Sequence, residues 1–329
     1  MSAEKVEIVT DNGITVKAMA PVIVSASRST DIPAYFSKWF ISRFKGRRGY
    51  VKWFNPFNQK PVYVSFEKTK VIVFWSKNPR PMLSRLDELQ PYMYYFQFTI
   101  NPYDMKLEQN VPTKNGIIET FRVLSDKIGP ERVIWRYDPI ILTDSISMNY
   151  HVKYFEELAK RLQGYTNTCV ISFLDLYKKT ERNLRDTSAR ELNADEMLDL
   201  ARSLAIIANC YGMRIQSCAE AIELSSVGIK HGRCIDSVLI EDLLGVKLVV
   251  GKDKNQRPEC SCVQSIDIGE YNTCRHNCKY CYANFNSEKV QERTHKHNPN
   301  SPLLIGEVMP EDKISDRKIF SFIGDKSLF

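Results

Sequence analysis

The stretch Arg132-Val133-Ile134-Trp135-Arg136-Tyr137-Asp138-Pro139 is an apolar run that ends abruptly in charge. Behind it, Asn149 to Leu162 carries Tyr154, Phe155, Leu158 and Leu162 at helical spacing, and a second apolar run, Cys169 to Phe173, closes on Asp175. Short runs rich in β-branched and aromatic residues read as strands, and the amphipathic stripe between them reads as a helix. Strand, helix and strand in that order predict a parallel pair joined by a crossover. The same alternation extends outward. Val22 to Ala26, Val71 to Trp75, Tyr94 to Ile100 and Met213 to Gln216 are further strands, and Val263 to Ile268 is another, far along the chain. Pro33 to Phe44 and Lys114 to Ser125 fit helices. Asn193 with Glu196 resembles a capping box, opening a helical pattern from Met197 through Leu200, Leu204 and Ala208 that Gly212 stops. Tyr50 to Phe66 reads as a hairpin or irregular insertion around Asn55-Pro56-Phe57-Asn58. The fold class is therefore α/β, with a parallel sheet wrapped by helices.

The 329 residues suit either two average domains or one large α/β barrel. Met1 to Val9 mixes Glu4, Lys5 and Glu7 with small residues, unlike a targeting segment. No run approaches the ~20 apolar residues that span a bilayer, so the expectation is a soluble cytoplasmic protein without a membrane partner. Nine cysteines without a secretion signal point to metal binding or buried thiols rather than disulfides. The net charge of +7 is spread along the chain, with clusters at Lys45, Arg47 and Arg48 and at Lys178, Lys179 and Arg182. That bias permits a nucleic-acid or phosphate partner, and equally suits a solvated surface. Trp53, Phe54 and Phe57 beside the first cluster could stack bases or anchor a loop.

Polar signatures follow the strands: Ser27-Arg28-Ser29-Thr30-Asp31, Ser76-Lys77-Asn78, Asn101-Pro102, Arg136-Tyr137-Asp138, Asp175 and Cys218-Ala219-Glu220. Any one of these could merely cap a helix or form a turn. In a parallel β/α barrel, however, every strand's C-terminal end opens on the same mouth. Arg28, Lys77 and Arg136 suit a carboxylate or phosphate there, and Asp31 and Asp138 suit either ligand binding or pairing with those cations.

Cys274, Cys278 and Cys281 are spaced C-x3-C-x2-C within Tyr271-Asn272-Thr273-Cys274-Arg275-His276-Asn277-Cys278-Lys279-Tyr280-Cys281-Tyr282-Ala283. Three thiolates can hold three irons of a 4Fe-4S cube and leave the fourth without a protein ligand, whereas ferredoxin-type carriers normally close the cube with a fourth cysteine. The alternatives are a zinc site completed by His276 or another cysteine, and a purely structural cluster; zinc usually wants four ligands, often in paired knuckles, and no clean second pair follows. Cys218, Cys234, Cys260 and Cys262 would lie near the same mouth as an auxiliary iron-sulphur or zinc site, or as reduced buried thiols. Cys169 and Cys210 fall on apolar patterns and read as core, while His231, His295 and His297 read as surface groups.

The cysteine loop, with Tyr280 before its last cysteine, resembles the motif of the radical SAM (S-adenosylmethionine) superfamily and is similar to its spore photoproduct lyase-like branch. That resemblance implies a 4Fe-4S cluster whose open iron holds the amino and carboxylate groups of SAM. It implies reductive cleavage releasing a 5'-deoxyadenosyl radical, with an electron donor such as a flavodoxin or ferredoxin. The backbone near Tyr280 would contact adenine, Ser27, Thr30 or Asp31 the SAM amino group, and Arg136 an anionic group. From about Pro21 to Glu307 the chain also resembles an uncharacterised bacterial family, a domain of unknown function with a radical-SAM-like cysteine cluster at its C-terminus. Ser25-Ala26-Ser27-Arg28-Ser29-Thr30-Asp31-Ile32-Pro33, Phe74-Trp75-Ser76-Lys77-Asn78-Pro79 and His231-Gly232-Arg233-Cys234-Ile235-Asp236 carry that likeness. Superfamily members place the cysteine loop after their first strand, and this chain places it near its end. The expectation is therefore one circularly permuted, incomplete (β/α) barrel over residues 21–307 with its cluster loop at 270–284, an N-terminal extension over 1–20 and a C-terminal tail over 308–329. Radical chemistry on a nucleic acid, as repair or modification, and a non-catalytic redox module are the alternatives.

Overall fold

The alternation of apolar runs and amphipathic stripes becomes one long parallel sheet. The computed structural model describes residues 4–45, 49–54, 61–307 and 322–323. Its strands are β1 (Lys5–Val9), β2 (Thr15–Met19), β3 (Ile23–Ala26), β4 (Tyr50–Phe54), β5 (Pro61–Ser65), β6 (Val71–Ser76) and β7 (Met93–Thr99). They continue with β8 (Val133–Ile140), β9 (Thr168–Phe173), β10 (Arg214–Ser217), β11 (Lys230–His231), β12 (Leu248–Val249), β13 (Ile266–Asp267) and β14 (Phe322–Ile323). The helices are α1 (Ile32–Tyr35), α2 (Ser37–Phe44), α3 (Lys114–Ile128), α4 (Met148–Leu162), α5 (Lys178–Leu184), α6 (Ala194–Cys210), α7 (Ser237–Leu244) and α8 (Ser287–His295).

Eight strands lie in the order β11-β10-β9-β8-β7-β6-β3-β13, and every neighbouring pair is parallel. The late strand β13 sits beside β3, with Ile266 opposite Val24 and Asp267 opposite Ser25. Among the described residues β11 and β13 end the order without pairing to each other, so the sheet is open. Side chains alternate between its faces, as the strand period requires. Ile72, Phe74 and Trp135 join the larger core with α2, α3, α4 and α6. Val71, Val73 and Ile134 join a smaller core with Ile235, Ile240 and the cysteines Cys234, Cys260 and Cys262.

Local chemistry explains the best-read elements. Asn193 Oδ1 accepts the Glu196 N–H at 2.9 Å, and Glu196 Oε2 accepts the Asn193 N–H at 3.0 Å, completing the box that starts α6. The stretch 33–44 is two helices rather than one: Asp31 caps α1 through the Ala34 N–H, and the chain leaves helical geometry at Phe36 (φ −131°, ψ 19°) before α2 begins. Phe44 of α2 stacks on Phe66, with ring centroids 3.5 Å apart, and so ties the helix to the end of β5.

Three other expectations change. The seventh strand shrinks to the two residues of β13, because Val263 bridges Lys252 instead. A second sheet, β1-β2-β5-β4, contains the antiparallel β4–β5 pair, the hairpin expected over Tyr50 to Phe66, and adds β1 and β2, which were not foreseen. Cys210 ends α6 exposed, outside the core that holds Cys169, because only part of the helical stripe faces inward. Asn55 to Asn58, Arg47, Arg48, the side chains of Lys178 and Lys179, and the tail other than β14 lie outside the described residues. Among the described residues no helix is long and apolar enough to cross a membrane.

Candidate metal centre

Because the eight strands are parallel, their C-terminal ends share one edge, and the cysteine loop is bound to that edge. Gly269 leads the chain out of β13 against Ser27, so closely that a β-carbon there would fall 1.9 Å from Ser27 Oγ. Trp53 is buried and donates its indole N–H to Gly269 O at 3.1 Å, an anchoring role. Asn272 and Asn277 turn the loop through left-handed backbone, φ 59° and 52°, which asparagine tolerates through local amide hydrogen bonds. Asn272 Oδ1 accepts the Phe285 N–H at 2.6 Å, and Asn284 Nδ2 donates to Cys274 O at 2.7 Å. From the other side Cys278 forms an antiparallel bridge with Glu108, and the Lys279 N–H donates to Leu107 O at 3.0 Å.

The loop thus holds Cys274, Cys278 and Cys281 on a backbone pinned at both ends. Burial pushes all three thiols up, and the nearby Asp31 carboxylate reinforces the effect at Cys274. The metal-free chain therefore holds them protonated, and a metal has to displace those protons. His276, which lies between the first two cysteines, is buried with both ring nitrogens occupied. Its Nε2 is 2.8 Å from Asp31 Oδ2, and its Nδ1 is 2.9 Å from Tyr35 Oη.

Asp31 and Ser27, expected to face a ligand, are held by internal hydrogen bonds. Besides His276, the Asp31 carboxylate accepts from Ala34 N at 2.9 Å, Ser76 Oγ at 2.8 Å and Lys77 N at 2.7 Å. Ser27 Oγ donates to Asp267 Oδ1 at 2.7 Å. Thr30 Oγ1 differs: it is buried with no hydrogen-bond partner among the described residues.

Two residues without a role in the sequence reading organise the edge. Asp267 accepts from Ser25 Oγ at 2.6 Å, Arg28 N at 2.8 Å and Gly269 N at 2.9 Å, joining β13 to the end of β3. Its signal was a carboxylate inside an apolar strand. Glu108, 2 % exposed, binds Lys77 Nζ at 2.8 Å, Lys114 Nζ and the hydroxyl of Tyr280. Burial alone would raise this carboxyl, and the two ammonium groups outweigh it and hold it at about 2. Tyr280 is consequently fixed, its hydroxyl also accepting from Asn101 Nδ2 at 3.2 Å, with Lys77 Nζ 5.4 Å from its ring centroid.

Arg136 pairs with Asp138 and points further donors at Gln97 Oε1, 3.3 Å away, and Cys234 Sγ, 3.0 Å away. Cys234, Cys260 and Cys262 share a second buried cluster against which Cys218 packs. Among the described residues no three His, Cys, Asp or Glu side chains already stand in metal-holding geometry.

Glu220, beyond β10, accepts the Phe173 N–H at 2.9 Å. Burial, helped by the charges of Asp175 and Asp138, pushes its carboxyl up to about 8. The unfolded value is about 4.3, so the folded chain binds this proton more tightly. Its contribution to stability is full below about pH 4.3 and is lost as pH rises through about 8, by at most about 1.4 kcal/mol per pH unit. Glu220→Gln should flatten that slope while keeping an acceptor for Phe173. Urea midpoints across this window check it, and an unchanged slope would contradict the assignment.

No curated protein matches the chain. Among solved structures it is similar to a provisionally assigned alpha-L-fucosidase from Bacteroides thetaiotaomicron VPI-5482, at 13% identity and a TM-score of 0.26. The match covers 48% of this chain and spans 64% of that one, and likeness at this level carries no argument. The strand-end motifs and the cysteine loop together occupy the span that a family profile recognises: residues 23–283 match the Domain of unknown function (DUF1848), and the chain belongs to that family.

Proposed function

We propose that this chain is a cytoplasmic radical SAM enzyme in which Cys274, Cys278 and Cys281 hold a 4Fe-4S cluster with one iron open to SAM. The observation that carries the reading is the state of His276. With both ring nitrogens engaged by Asp31 and Tyr35, it is committed to the scaffold and is a poor fourth ligand for a zinc site. Three thiols on one pinned loop, without a closing ligand from that loop, fit an open-site cluster. When bound, such a cluster supplies the electron that breaks a carbon-sulphur bond of SAM.

The protein's part is to bind and orient. Thr30 Oγ1, buried and unpartnered among the described residues, is the best placed of the three expected groups to meet the SAM amino group, because Ser27 and Asp31 are already hydrogen-bonded. Asp31 acts through His276, holding the loop to α1. Glu108 fixes Tyr280, whose backbone would meet adenine. The pairing of β13 with β3 supports a permuted, open (β/α) barrel, since it returns the loop-bearing strand to the side of the first strand-end motif. A flavodoxin or ferredoxin would supply the electron.

Anaerobic reduction with SAM tests the reading. Production of 5'-deoxyadenosine and methionine is the expected result, and Thr30→Val should weaken SAM binding while leaving iron content unchanged. A loaded, reducible cluster that neither binds SAM nor yields 5'-deoxyadenosine would leave a redox or structural module as the better account.

A further inference from the structure

Cys218 follows β10, Cys234 precedes α7, and Cys260 and Cys262 stand on an irregular segment before β13. The tertiary structure brings these three segments together through sulphur. Cys218 Sγ lies 3.2 Å from Cys234 Sγ. Cys262 Sγ accepts the N–H of Cys234 at 3.2 Å and of Ile235 at 3.4 Å, and Cys260, two residues before it, is buried in the same core cluster as Cys234 and Cys262. All four are free thiols, and Cys234, Cys260 and Cys262 are buried.

The surroundings are cationic. Arg136 Nη1 donates to Cys234 Sγ at 3.0 Å. The Arg28 guanidinium lies over Trp75, 5.3 Å from the ring centroid, near Asp267 and near enough to Cys262 and Cys234 to be stabilised by them once they ionise. Its Nη2 is buried without a hydrogen-bond partner among the described residues. Leaving a charged donor buried and unsatisfied is costly, and a nearby anionic sulphur set would offset that cost.

We propose that Cys218, Cys234, Cys260 and Cys262 form a second metal centre, a tetrathiolate site for a single soft ion such as zinc or iron, with Arg28 and Arg136 offsetting its negative charge. Sulphur donors in a tetrahedral set select those metals. Thiolates sharing such an ion at about 2.3 Å stand about 3.8 Å apart, so binding has to spread Cys218 from Cys234. The irregular segment bearing Cys260 and Cys262 then closes the set. Tyr282, next to Cys281, donates to Arg28 O at 2.9 Å, so Arg28 connects this group to the pinned loop. The site is independent of the SAM reading.

The test uses the full chain with Cys274, Cys278 and Cys281 replaced by alanine, titrated anaerobically with Co2+ alone. One ion per chain is expected, with strong sulphur-to-metal charge-transfer absorption that zinc abolishes by displacement and that disappears in the further variant Cys218→Ser/Cys262→Ser. In the wild-type chain, bound metal should protect these four cysteines from alkylation until a chelator is added; this readout does not depend on variants that fold poorly. A triple variant that binds no cobalt, zinc or iron, alkylation of the four thiols unaffected by metal, or a Cys218–Cys234 disulfide in anaerobically prepared protein would overturn the proposal. Because the triple variant carries no SAM cluster, failure here and failure to cleave SAM are separate results.

Discussion

Anaerobically reconstituted Cys278→Ala protein is expected to lose the iron bound at the loop and all production of 5'-deoxyadenosine, while its fold persists. The substitution removes only a thiol. The loop's attachment at this point is made by backbone, through the Cys278–Glu108 bridge and the Lys279 N–H donating to Leu107 O at 3.0 Å. Truncation therefore leaves the anchors in place and deprives the proposed cluster of one of its three cysteine ligands. Iron and sulphide analysis, the visible absorption of the reconstituted protein and chromatography of the reaction products check the expectation together. Stoichiometric zinc without iron in the reconstituted wild type would sink the cluster reading, and an iron content unchanged by Cys278→Ala would remove this residue from the ligand set.

The second large effect is expected at Glu108. Glu108→Ala should destabilise the chain by about 3–5 kcal/mol, the usual cost of breaking a buried ion pair from one side. It strands Lys77, itself largely buried, and removes the acceptor that holds the Tyr280 hydroxyl. The sign of the pH effect follows from the depressed carboxyl. With a folded value of about 2 and an unfolded one of about 4.3, its contribution is present above about pH 4.3 and is lost as pH falls through about 2. Urea unfolding of wild type and Glu108→Ala at neutral pH and through that acid window measures both. Equal midpoints at neutral pH would show the network to be energetically idle.

Much of the sheet was legible because its signals are local. The apolar run of β8, the stripe of α4 and the reciprocal cap of α6 each lie within a few consecutive residues, where propensity and periodicity act. The break at Phe36 was less visible, since helix-compatible residues continue on both sides and the bend serves packing of α2 against Phe66 and Phe74. The β1–β2 part of the second sheet escaped the sequence reading for a similar reason: these strands are partly exposed, and without an apolar run they carry little signal.

What the sequence by itself determined was the α/β class, the edge on which polar residues gather and the three-cysteine loop, all properties of contiguous residues. The tertiary structure alone decided what those groups do to one another. Ser25 and Asp267 are 242 positions apart and hydrogen-bonded at 2.6 Å; His276 and Asp31, 245 apart, are 2.8 Å from each other. The first contact commits Asp267 to holding β13, and the second ties the loop's histidine to the scaffold. Cys218, Cys234 and Cys262 are likewise far apart in sequence and meet only through tertiary packing. Parallel strand pairing delivers distant strand ends to a common edge, and no local pattern encodes which side chains will then be close enough to share a proton or a metal.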